Sequence, residues 1–243
     1  MTSQTRQRLI LIDLLRGVAI AMMFSYHFCF DLDYYGYVSI RFNSDPFWLN
    51  YRALIVSLFL GLVGFSLYLA HHREWRQKAW ARRFSLLLLA ASAVSLGSYL
   101  MYPQSFIFFG ILHFITVASL LGLAFVRLGY LNLLLGAAIL LIGNYFAHPF
   151  FNQAPWQWLG MMTERPVTED YVPLFPWFGM VLVGMGLAHW SKNNHSLTRL
   201  LQWQNHTPLV TGLSFAGRHS LLIYLLHQPI FLGLLFLVTK LTR

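Results

Sequence analysis

Seven apolar runs dominate this chain and leave it few possible folds. They cover about residues 9–31, 48–70, 84–102, 106–126, 129–147, 173–190 and 218–239. A run of roughly 18 or more apolar residues is long enough to cross the hydrocarbon core of a bilayer as a helix. No water reaches backbone polar groups there, so a spanning segment must satisfy them internally. Charged residues make up 10% of the sequence, far below the roughly 25% of an average soluble domain. The expected architecture is all-α: a polytopic membrane bundle of about seven transmembrane helices, with residues 1–243 as a single integral-membrane domain.

The loops set an orientation. Arg6 and Arg8 precede the first run, and residues 71–83 hold Arg73, Arg76, Lys78, Arg82 and Arg83. Arg127, Lys192 and Arg199 fall on the same side of the predicted bundle. The other side carries Asp31, Asp33, Asp45, Glu164, Glu169 and Asp170, against Arg41, Arg52 and Arg165, then Lys240 and Arg243 at the end. The positive-inside rule places the basic side, and with it the N-terminus, in the cytoplasm. The net charge of +9 is thus accounted for by topology, and no nucleic-acid partner is expected. An eighth short helix near residues 208–215 would bring the C-terminus back inside. Residues 148–172 form the longest outer loop, rich in aromatics, proline and acids. They could cap an outward cavity or anchor at the interface through Trp156 and Trp158.

The first run is the chemically unusual one. It carries Asp13, Arg16, His27 and Asp31, and ionisable groups inside a membrane helix are costly enough to mark function by default. Asp13, Arg16, Ile20, Phe24, His27 and Asp31 recur at three- and four-residue steps and share one helix face. Arg16 and His27 lie roughly 16 Å apart along it. Asp31, one turn beyond His27, could fix the tautomer of the imidazole and raise its basicity; both could also simply be solvated. Asp13 and Arg16, one turn apart, could form a structural ion pair or contact a ligand. Cys29 points away from His27 and Asp31 and reads as a packing residue. With one cysteine in the chain, no intrachain disulfide can form, and no zinc-type Cys/His spacing or other metal site is expected.

Further polar residues punctuate the later runs. Arg82 and Arg83 open the third and suit either topogenic anchoring or bidentate anion binding. His113 follows Gly110 early in the fourth, where interhelical hydrogen bonding and a site role compete. Arg218 begins the last run, where Ser220, Tyr224 and His227 share one face. Pro229 should kink or break that helix.

These residues also carry a resemblance. RGVAIAMMFSYH, from Arg16 to His27, fits the Arg/Lys-x10-His pattern of transmembrane acyltransferases that modify exported glycans. The ordered set IDLLRG (12–17), His27 with FDL (30–32), FGILH (109–113), FPWFG (175–179) and GRHSLLIYLLHQP (217–229) resembles the heparan-alpha-glucosaminide N-acetyltransferase catalytic-domain family. That resemblance implies transfer of an acyl group, usually acetyl, from cytoplasmic acetyl-CoA to an extracytoplasmic glycan or amino-sugar acceptor. It implies His27 as the motif histidine and Arg16 as its basic partner. For such a reaction, His27 oriented by Asp31 would act as general base, and Arg82 and Arg83, with Arg16 deeper, would hold the CoA phosphates. Asp13, His113, Arg218, Ser220, Tyr224 and His227 are the other cavity candidates. Direct and ping-pong transfer both stay open, as does the choice of base among His27, His113 and His227. Self-association into a homo-oligomer is also left open. The rival readings are a transporter or permease, which lacks support from any internal repeat, and a non-catalytic membrane scaffold.

Overall fold

The computed structural model describes residues 9–242 and, at Thr242, the backbone alone. Arg6, Arg8 and Arg243, which entered the charge argument, lie outside the described residues. The fold is all-helical: α1 (Ile10–Tyr34), α2 (Pro46–His71), α3 (Gln77–Met101), α4 (Ile111–Leu121), α5 (Leu131–Tyr145), α6 (Leu174–Asn193), α7 (His195–Leu201), α8 (Pro208–Arg218) and α9 (Ser220–Thr242). Among the described residues the only strand-like pairing is an isolated bridge between Phe109 and Tyr171.

Each of the seven apolar runs contains a helix, but among the described residues five helices are long and apolar enough to span a membrane: α1, α2, α3, α6 and α9. The stretch Ile111–Phe125 and α5 are shorter, at roughly 22–24 Å against a core of about 30 Å. The fourth run begins late for a local reason. Ser98 Oγ accepts the Ile107 amide at 2.9 Å, Ser95 Oγ donates to the Ile107 carbonyl at 2.7 Å, and Thr168 Oγ1 donates to the Phe106 carbonyl at 2.8 Å. These bonds hold residues 106–110 outside the helix. The eighth helix expected near residues 208–215 is present as α8, opened by Pro208 in its first turn. Helix α9 runs unbroken through Pro229, which supplies no amide to the carbonyl of Leu225.

The chain divides into two compact units, one comprising residues up to Phe59 together with 194 onward, the other Leu60–Asn193. In the first, α1 packs chiefly on α8 and then on α9. Backbone meets backbone at the α1–α8 crossing. A Cβ on Gly17 would lie 1.9 Å from the Leu213 carbonyl oxygen, and one on Gly217 would lie 1.8 Å from that of Asp13. Small residues allow this approach where no hydrophobic drive exists between helices in lipid. Ile20, Met23, Tyr26, Phe42 and Ile55 form the buried core, with Phe24 and Tyr224 packed against it.

The second unit is built on α5 against α6. Gly64 and Gly184 let the latter half of α2 close on α6 at the carbonyls of Val181 and Gly61. Asp170 reaches from the loop between α5 and α6 to the start of α4, where Oδ2 accepts the Ile111 amide at 2.9 Å. That carboxylate meets the positive end of the helix dipole. The Tyr171 hydroxyl donates to the Gln157 carbonyl at 2.6 Å. Burial pushes the Tyr171 phenol up from its ordinary value, and nearby Arg165 only partly opposes this.

Candidate functional site

The face predicted on α1 is turned inward in the first unit: Asp13, Ile20 and Asp31 are all buried. Arg16 Nη1 pairs with Asp13 Oδ1 at 3.3 Å. This is the structural ion pair that one-turn spacing allows.

Three turns further on, α1 and α9 bring two histidines together. The rings of His27 and His227 meet edge to face, with centroids 5.0 Å apart. His227 is 4% exposed. Its ring stacks on Phe24 at 5.6 Å and meets Phe231 edge-on at 6.0 Å. Its Nδ1 lies 2.5 Å from the Tyr224 carbonyl oxygen. A carbonyl only accepts, so Nδ1 carries the proton. The Nδ1 of His27 and the Nε2 of His227 are buried without a hydrogen-bond partner among the described residues.

Asp31 does not hydrogen-bond His27 as one-turn spacing suggested. Its Oδ1 accepts from Gln228 Nε2 at 3.4 Å, and the carboxylate is 2% exposed. Asp31 Oδ2 and Gln228 Oε1 are likewise buried and unpartnered among the described residues. Four unsatisfied polar atoms, two on α1 and two on α9, are unusual, because each costs on the order of 1–3 kcal/mol when left unpaired. Gln228 was missed in the sequence, although it continues the Ser220–Tyr224 spacing by one further turn. Ser220 sits half-buried at the start of α9, and exposed Arg218 rests against the Phe215 ring at 5.9 Å.

The second unit disposes of two other predictions in different ways. His113 is held at both nitrogens: Nδ1 accepts the Gly110 amide at 3.3 Å, so Nε2 is the donor to Ser95 Oγ at 2.9 Å. It caps α4. Arg83 lines a cavity of about 190 Å³ with Arg76, His71, Trp80 and Ser119, and Val63, Leu67 and Phe84 add apolar lining. Arg82 is not among the lining residues.

The chain matches the family described as heparan-alpha-glucosaminide N-acetyltransferase, catalytic, over residues 8–229. No curated protein and no solved structure matches it. The matched span begins before α1 and ends at Pro229, two residues past His227. It takes in the whole cluster of His27, Asp31, His227 and Gln228. A helical chain with five membrane-length helices and such a match is a multi-pass membrane transferase: it belongs to the heparan-alpha-glucosaminide N-acetyltransferase catalytic-domain family.

Proposed function

We propose that this protein transfers an acetyl group from cytoplasmic acetyl-CoA to a saccharide-type acceptor, hydroxyl or amine, on the outer side of a bacterial inner membrane. The observation that carries the reading is the facing pair His27 and His227, with a ring nitrogen of each buried and unpartnered among the described residues. A general base needs a lone pair within reach of the acceptor proton and a pocket that excludes competing water. The buried ring nitrogens of the pair supply the lone pair and a setting closed to bulk water. Asp31, tied to Gln228, acts on the geometry of the two helices around that pair rather than on His27 directly.

The cavity beside Arg83 supports a place for the CoA phosphates. Two guanidinium groups, Arg76 and Arg83, offer paired donors suited to phosphate, and Trp80 offers an aromatic wall. Arg83 lines this cavity and Arg82 does not, so Arg83 suits the donor-binding role better than Arg82.

The test is radiolabel transfer by protein reconstituted in vesicles, with acetyl-CoA outside or inside and glucosamine as probe acceptor. Acetyl-CoA should also raise the thermal midpoint of purified protein more than its dephospho analogue does. Absence of both transfer and stabilisation at millimolar acetyl-CoA would sink the reading. A cysteine placed within residues 71–83 should label only from the cytoplasmic side. Labelling from outside intact cells would reverse the direction of transfer.

A further inference from the structure

Resting on the acyltransferase reading, we infer that His227 on the last helix is the general base of the pair, positioned through its own backbone. Three observations lead there. The first is the tautomer: Nδ1–H is committed to the Tyr224 carbonyl at 2.5 Å, so Nε2 holds the lone pair, and Nε2 is buried and unpartnered among the described residues. A backbone carbonyl on one ring nitrogen is the usual device for leaving the other as acceptor. It takes the part of the third group in a nucleophile–base–orienter chain.

The second is immobility. His227 is closed in by Phe24, Phe231, Tyr224 and His27, with ring centroids between 5.0 and 6.0 Å. Aromatic contacts of this kind fix ring orientation as well as burying area. The hydrogen bond from Gln228 to Asp31 ties α9 to α1 at the adjoining residue. The third is contrast. His113 spends both nitrogens on the α4 cap, and His27 has no hydrogen bond at Nδ1 to select its tautomer.

The step balances as follows. The acceptor oxygen or nitrogen bonds to the thioester carbonyl carbon as its proton passes to His227 Nε2. The tetrahedral adduct collapses, the C–S bond breaks, and the Nε2 proton moves to the departing thiolate. The products are an acetyl ester or amide and free CoA thiol, with His227 returned to its starting form.

The experiment measures thiol release from acetyl-CoA with glucosamine as probe acceptor, across pH, for wild type, His227→Asn, His227→Phe and His27→Asn. Asparagine keeps a donor near the Tyr224 carbonyl, and phenylalanine keeps the aromatic packing. Both His227 variants should lose about 10²–10⁴-fold in kcat, with KM for acetyl-CoA changed less than threefold and the base limb of the pH profile gone. His27→Asn should keep that limb. Nitrogen-15 histidine spectra of bilayer-reconstituted wild type should show His227 protonated at Nδ1 and bare at Nε2. A proton on Nε2, or a pH limb that vanishes with His27 and survives loss of His227, overturns the assignment while leaving acyl transfer intact. Wild-type protein that releases no thiol overturns the acyltransferase reading itself, whatever the spectra show.

Discussion

His113 donates from Nε2 to Ser95 Oγ at 2.9 Å while that hydroxyl donates onward to the Ile107 carbonyl at 2.7 Å. With its other nitrogen on the Gly110 amide, this histidine closes the start of α4 as a polar side chain at the third helical position can. His113→Ala should therefore lower stability by about 1–2 kcal/mol. Turnover per folded molecule should stay at the wild-type value. Thermal melts in detergent, paired with activity normalised to folded protein, check both.

The α1–α8 crossing leaves no room for a methyl group. Gly217→Ala would set a carbon 1.8 Å from the Asp13 carbonyl oxygen, whereas one on Gly233 meets nothing within 4 Å. Gly217→Ala should cost at least the 1–3 kcal/mol typical of overpacking. Gly233→Ala, in the same unit, should leave the thermal midpoint within error of wild type.

Arg83 and Arg82 are neighbours in sequence with different surroundings. Arg83 lines the basic cavity with Arg76, and Arg82 does not. Arg83→Ala should raise KM for acetyl-CoA about tenfold, the worth of one charge-assisted contact. Arg82→Ala should change it less than twofold. Steady-state kinetics with acetyl-CoA and its dephospho analogue will also show whether the Arg83 effect depends on phosphate.

The Asp31–Gln228 hydrogen bond predicts an ordering of variants. Asp31→Asn keeps an oxygen that can accept from Gln228 Nε2, so it should melt close to wild type. Asp31→Ala strands a half-buried amide beside α1 and should cost about 1–3 kcal/mol. Asp31→Ala combined with Gln228→Leu should recover part of that loss, because neither polar partner is then left alone. The comparison is read by thermal melting of all three.

Much of the helical layout follows from hydrophobic runs, because a run that long in lipid has almost no other way to satisfy its backbone. The same logic is silent on ends. α4 starts at Ile111 rather than near residue 106 because serine and threonine side chains from α3 and the loop before α6 claim the Phe106 and Ile107 backbone. Tertiary hydrogen bonds of that kind leave no trace in periodicity. Helical spacing put Asp13 near Arg16, and it placed His27 and Asp31 on one buried face. It could not say that Asp31 turns to Gln228, or that His27 meets a histidine 200 residues away, because such pairings depend on how α1 and α9 cross. The Gly-x-x-His pattern at residues 110–113 did hold the cap signal for His113. A histidine in an apolar helix also suggests chemistry, and only the hydrogen bonds separate the two.

The Gly17–Gly217 crossing works as a keyway for α1. Turning that helix by one residue's worth, about 100°, would drive Arg16 or Val18 into a space that rejects even a methyl group. Rotation of α1 against α8 would therefore require the two helices to separate first. The azimuth of His27, ten residues along, is set by two residues that have no side chain at all. On the acyltransferase reading proposed above, the keyway would present His27 at one fixed angle and leave the approach to the substrates.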